Sequence, residues 1–349
     1  MKGVQIGAVG FPLRLRTSLV FALVLAVIAA GFVASLCLGL TFTPPAKVIE
    51  TLFGDGSRAS ELIVFKLRMP RALTGVLVGL AFGLAGALFQ AVTRNPLASP
   101  DLIGVSAGAS AGGVAMILFS GVTAAGAGSL GTVPFGAFAG ALAAAAFIYV
   151  MAFRGGTVTG YRFVLVGIGV NGALSALTGW LLTRADIDQA GRAMVWLTGS
   201  LNGRGFEHAT WIGCALAVVV PCAIALSRPY QLLQYGDDTA RGLGLPLART
   251  RMALLLLGVV LAAFATAAAG PIGFVALAAP QIARRLTGTA NLPLLTSGLV
   301  GSALVMIADL IARTAFGDIE LPVGVVTGAI GAPYLMWLLA RKNRAGTGG

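Results

Sequence analysis

Apolar residues in this chain neither alternate nor mark a single helix face; they run on for 15 to 24 positions and stop at short clusters of Arg, Asp, Gly and Pro. Ten such runs stand out: 17–40, 72–92, 103–120, 133–153, 163–183, 207–227, 252–270, 272–286, 294–316 and 322–340. At about 1.5 Å of rise per residue, roughly 20 residues cross a hydrocarbon core of about 30 Å, where backbone polar groups are satisfied only within helices or closed barrels. The runs are too long and too evenly apolar for barrel strands. They predict an all-α integral membrane protein of about ten transmembrane helices, with residues 1–349 as a single transmembrane domain. The eighth run is short, so nine spans remain an alternative. Residues 193–203 (AMVWLTGSLNG) are apolar but too brief to cross, and predict a helix lying in the outer interface. Arg14 and Arg16 before the first run imitate a signal peptide, but that run exceeds an ordinary signal core and no small-x-small pattern clearly ends it, so it predicts an uncleaved span.

Composition agrees with that class: 57% of residues are hydrophobic, 10% are charged and the mean hydropathy is +0.92, more apolar surface than one soluble core requires. Charge adds orientation. With the N-terminus in the cytoplasm, the inner side collects 15 of the 24 Lys and Arg, among them Lys2, Arg14, Arg94, Arg241, Arg284 and Arg285. Eight of the twelve acids fall outside, three inside and one, Asp309, within a span. The net +12 of the chain thus reads as a topology signal, and no nucleic acid is needed to explain it. Both termini are expected on the cytoplasmic side.

Catalytic chemistry is missing from the pattern. Cys37, Cys214 and Cys222 lie in spans, the last two too far apart on one helix to bridge. The one histidine, His208, stands beside Glu207 at a predicted membrane boundary with no second ligand nearby, and reads as an interfacial polar residue. No catalytic residue and no metal site is expected. There is no GxxxxGK[ST] loop, so active transport would need another subunit or an ion gradient to drive it. Asp309 and Arg313 sit four apart near the outer end of the ninth run, acid first, as helix pairing favours. Arg68 and Arg71 flank Pro70 where the second run begins. They read either as snorkelling interface arginines or, with Arg313, as a basic outer rim receiving carboxylates from a partner. Gly75, Gly79, Gly83 and Gly86 line one side of the second run, and Gly324, Gly328 and Gly331 one side of the last, a spacing that lets helix backbones approach closely in lipid.

The stretch QLLQYGDDTARGLGLPLARTR, residues 231–251, is the polar exception on the inner side. Asp237 and Asp238 suit the positive first turn of a short helix, and Gly242, Gly244 and Pro246 end it. About two turns of helix, held between two spans, fit another protein's cleft; a solvated connector fits the residues equally well.

Five stretches together resemble one family, the FecCD-type permeases of bacterial ABC importers for ferric siderophores, haem and cobalamin. They are LRMPRAL (67–73), GLAGALFQAVTRNPLASPDLIGVSAGA (83–109), GDDTARGLGLP (236–246), AGPIGFVALAAPQIARRLTG (269–288) and ELPVGVVTGAIGAPYL (320–335). The resemblance implies ten spans, a second permease subunit enclosing the path, two ATPase subunits that use ATP and magnesium, a substrate-binding protein, and no cofactor held by this chain. It also implies that Gly236, Asp237, Asp238, Thr239, Ala240, Arg241, Gly242, Leu243 and Gly244 form the coupling helix that docks into an ATPase subunit. Arg68, Arg71 and Arg313 match the contacts for glutamates of the binding protein. Asn95 and Leu97 match gate positions; Gly160 and Tyr161 stand where some relatives carry small hydroxyl residues, and Asn171 is a further polar residue facing the path or a neighbouring helix. WLTGSLNG (196–203), GDDTARGLG and APQIARRLTGTA are most similar to permeases for catecholate siderophores of the ferric enterobactin type, which pair with a related sister permease. The resemblance thus implies a multi-pass subunit of the bacterial cytoplasmic membrane, in contact with lipid, that carries ferric siderophore; haem or cobalamin is the alternative cargo. A proton-driven carrier depending on Asp309, and an intramembrane enzyme, are the rivals from other classes.

Overall fold

Unbroken apolar runs leave the backbone no polar partner except itself, and helices result throughout. The computed structural model describes residues 3–6, 9–12, 15–39, 42–119, 132–154, 157–158, 160–317 and 319–346; Lys2, Arg14 and part of the 155–162 loop lie outside them. The helices are α1 (Leu15–Cys37), α2 (Pro45–Phe53), α3 (Arg58–Glu61), α4 (Met69–Thr93), α5 (Val105–Phe119), α6 (Thr132–Ala152), α7 (Gly160–Thr183), α8 (Ile187–Leu197), α9 (Phe206–Ala225), α10 (Ser227–Leu233), α11 (Asp237–Gly242), α12 (Leu247–Ala269), α13 (Val275–Thr287), α14 (Leu294–Thr314) and α15 (Val323–Gly346). Two short antiparallel ribbons, Gly3–Ile6 with Val9–Pro12 and Phe153–Arg154 with Thr157–Val158, are the described exceptions to helix and loop.

Each predicted run is helical, but not each is long enough to cross. Seven described helices have the length and hydropathy of a span; Val105–Phe119 is a shorter apolar helix, and α15 is helical for 24 residues and apolar over Val323–Met336. The 13 residues of α13 rise only about 20 Å; by length and composition seven of the ten predicted runs are span-length among the described residues, and α5, α13 and α15 fall on the other three. The interfacial helix expected at 193–203 is displaced: α8 begins at Ile187, where Gln189 Oε1 accepts the Asp186 N–H, and ends at Leu197 ahead of Gly199, whose φ of 70° no helix tolerates. Trp196 turns inward against Gly113 of α5 instead of lying at the surface.

The bundle is built around α4, which packs on α14, α12, α13 and α9. The glycine side of α4 is the reason it can sit there. A Cβ at Gly83 or Gly86 would collide with the carbonyl oxygens of Ser297 on α14 and Ala276 on α13, so the backbones touch directly. Ser302 Oγ adds a hydrogen bond to the Val76 carbonyl at 2.7 Å, the kind of interhelical contact that replaces hydrophobic drive in lipid. By contrast α1 and α7 expose most of their length.

Candidate functional site

Charged side chains gather at the two ends of this bundle. At the predicted outer end a π-helical segment, Leu62–Arg68, leads into α4 and closes with the Met69 N–H on the Val64 carbonyl. Arg68 ends this segment and Arg71 stands in the first turn of α4, on either side of Pro70. Arg68 Nη1 donates to the carbonyls of Leu36 and Cys37 at 2.7 and 2.9 Å and to Thr43 Oγ1 at 3.1 Å. Arg71 grips Asp309 at 2.9 Å and Glu320 at 2.8 Å. Arg313 reaches the other oxygen of Asp309 at 2.8 Å and donates to Ser35 Oγ at 2.6 Å.

The three arginines therefore come together, but inward: Arg68 is 7% exposed, Arg71 6% and Arg313 4%, and Asp309 between them is fully buried. An open rim facing water is not what these side chains form. Buried guanidinium groups need partners, and carboxylates and carbonyls from α1, α14 and the 319–322 segment supply them. The sequence pairs Asp309 with Arg313 because they are a helical turn apart; Arg71 and Glu320, 238 and 249 residues distant from their counterparts, carry no such local signal. What could flag them is the rule that a carboxylate inside a membrane seldom stands with one partner.

At the predicted inner end the polar insert is two short helices, α10 and α11, joined at Gly236 with φ 112°. The insert helix has six residues, Asp237 to Gly242, about 1.7 turns and close to the two expected, and Gly244 at φ 80° and Pro246 redirect the chain into α12. Asp237 Oδ1 holds Arg251 of α12 at 2.6 Å and Arg94 at the end of α4 at 3.0 Å. Ala240 is buried under the helix, whereas Asp238, Thr239, Arg241, Gly242, Leu243 and Gly244 are exposed. Leu243 is 62% exposed and Tyr235 61%, apolar side chains that solvent alone does not explain. Tyr230 Oη fastens α10 by donating to the Leu292 carbonyl at 2.9 Å, and burial pushes its phenol above the usual range.

Four of the five positions for which the resemblance implies a gate, Asn95, Leu97, Gly160 and Tyr161, lie near the end of α4 beside this insert. Arg94, in the left-handed region at φ 51°, ends α4, and Asn95 Oδ1 accepts the Leu97 N–H at 3.0 Å to form the turn that follows. Gly160 starts α7 against the backbone of Thr93, within 3.0 Å of a Cβ built there, and Tyr161 beside it is 78% exposed. Asn171 lies eleven positions further along α7, about 16 Å away, where its backbone meets Gly104. It is thus apart from the other four. His208 lies in the first turn of α9, at the end of a span as expected, and is buried there near Arg204 at 3.4 Å. Among the described residues no group of three His, Cys, Asp or Glu could hold a metal.

A family model describing the FecCD transport family matches residues 25–341. The chain belongs to the FecCD transport family. Among FecCD relatives, "Probable siderophore transport system permease protein YfhA" of Bacillus subtilis is 42% identical over 94% of this chain and 96% of its own. The "Ferric enterobactin transport system permease protein FepG" of Escherichia coli is 39% identical, over 92% and 95% respectively. A solved "metal-chelate type ABC transporter" in an inward-facing conformation aligns with a TM-score of 0.80 at 25% identity, over 93% of this FecCD chain and 99% of that one. The chain is accordingly a multi-pass membrane protein of FecCD type, and its relatives are permease subunits.

Proposed function

We propose that this chain is the membrane-spanning permease subunit of a bacterial ABC importer for a ferric siderophore, seated in the cytoplasmic membrane beside a second, related permease. Two ATPase subunits drive it, using ATP and magnesium, and a substrate-binding protein delivers the cargo; this chain performs no covalent step. The observation that carries the reading is likeness over nearly the whole chain to permeases named for siderophore and ferric enterobactin transport.

The geometry supports a route for the work done by the ATPases. The exposed face of residues 238–244 would lie in an ATPase cleft, and movement there would reach the membrane through Asp237, whose carboxylate holds both α4 and α12. Arg94 is followed directly by Asn95, so displacement of the insert would move the turn at Asn95 and Leu97 against Gly160 and Tyr161. Two arrangements of this gate, biased by ligands at opposite ends, are all that alternating access needs. At the outer end, Arg68, Arg71 and Arg313 would meet binding-protein carboxylates by exchange: Glu320, the most exposed member of the cluster, would leave Arg71 as an incoming glutamate takes its place.

The test is uptake of iron-loaded siderophore into proteoliposomes containing the chain with its co-purifying partners. Uptake that requires both internal ATP and the binding protein is the expected result. Uptake by this chain alone, driven by a proton gradient, would overturn the reading and make Asp309 the residue to study.

A further inference from the structure

The inner end carries more positive charge than the insert uses. Between the ends of α4 and α13, the α10–α11 junction and residues 290–292 lies a cavity of about 540 Å³. Arg94, Arg284 and Arg285 line it together with Gln90, Gln234 and Gln281, and no carboxylate does.

Its walls are fixed by their own hydrogen bonds. Gln90 and Gln281 are each 2% exposed; Gln281 Nε2 donates to Gln90 Oε1, and Gln90 Nε2 donates to the Leu277 carbonyl at 3.0 Å. Gln281 Oε1 in turn accepts Arg284 Nη2 at 2.9 Å, which orients that guanidinium, and Gln234 Oε1 accepts the Leu292 N–H at 2.7 Å. A guanidinium has five donors. Arg94 gives Nη2 to Asp237 and Arg284 gives Nη2 to Gln281, so each keeps further N–H groups for a ligand. Asp237 compensates Arg94 from outside the lining at 3.0 Å, but no carboxylate lines the wall on which the three guanidinium groups converge, and the remaining guanidinium N–H groups match a tetrahedral oxyanion. The last turn of α13, which carries Arg284 and Arg285, sits at the end of the bundle predicted to face the cytoplasm, and basic pockets between helices at that level suit anionic headgroups.

We propose that this cavity binds a phosphate-type oxyanion, from a phospholipid headgroup or as free phosphate. Arg94 belongs to the cavity and to the Asp237 ion pair at once, so the anion and the insert share one guanidinium. Neither the site nor its test depends on the identity of the transported cargo.

The test uses the purified full-length chain in two settings. In nanodiscs of phosphatidylcholine alone, inorganic phosphate is titrated while thermal unfolding is followed. In parallel, the chain is extracted from vesicles of mixed phosphatidylglycerol and phosphatidylcholine and retained lipid is measured by native mass spectrometry. A saturable rise in Tm with phosphate identifies a soluble ligand; preferential retention of phosphatidylglycerol without a phosphate effect identifies a headgroup. In either case Arg284→Gln should weaken binding about tenfold, the worth of a charge-assisted hydrogen bond, and Arg284→Lys, which keeps the charge but not the fork, about threefold. Arg58→Gln, exposed on the outer side, should change nothing. Binding in neither setting, or equal loss with Arg58→Gln, would overturn the proposal.

Discussion

Asp309 shows how much one side chain carries in a membrane. It is fully buried, with Arg71 on one oxygen at 2.9 Å and Arg313 on the other at 2.8 Å. Removing one partner of a buried ionic cluster leaves the others uncompensated, which costs about 3–5 kcal/mol. Asp309→Ala should therefore lower the unfolding temperature of the purified chain and reduce its recovery from membranes, whereas Glu207→Gln, on a half-exposed acid, should leave both unchanged. An unchanged Tm in Asp309→Ala would show that the cluster does not hold the outer end together. Glu320 behaves differently because its side chain is 21% exposed and Arg71 retains Asp309 without it. If docking proceeds by exchange, Glu320→Gln should tighten affinity for the binding protein about two- to fivefold, the scale of a solvent-screened ion pair, in a surface-binding measurement. Weaker binding would indicate that Glu320 itself contacts the partner.

Among the elements, α4 decides the architecture. Its glycine side meets α14 and α13 backbone to backbone, and a methyl group at Gly86 has no room beside the Ala276 carbonyl. Gly86→Ala should cost about 1–3 kcal/mol or more through overpacking and appear as a lower Tm. Gly328 on α15 offers the control: nothing lies within 4 Å of a Cβ built there, so Gly328→Ala should be neutral in the isolated chain. The same i, i+4 spacing in sequence thus hides two situations, a contact and an open face. Spacing places residues on one side of a helix; which helix lies opposite depends on residues some 200 positions away. The π-helical segment before Arg68 was likewise not legible, because a one-residue slip in hydrogen bonding leaves the apolar pattern intact.

For the whole molecule, the question is whether the ends communicate. At the inner end Asp237 bridges the insert to α4 and α12 by ion pairs. Asp237→Asn keeps the side chain's shape but weakens both ion pairs, so ATP hydrolysis by the assembled complex should persist while ATP-driven uptake falls severalfold; full uptake would remove the transmission role. The sequence by itself determined that the chain is helical and membrane-embedded, where the helices of the ten apolar runs begin within about five residues, the family, and the residues that form the polar insert. It could do so because bilayer thickness sets run length and Gly and Pro break helices locally. Only the tertiary structure decided that Arg68, Arg71 and Arg313 turn inward, that Glu320 completes their cluster, that Asp237 clasps two helices, and that three arginines line one cavity. Those facts rest on pairing between side chains far apart in the chain, where the cost of burying a charge selects the partner and no local pattern records the choice.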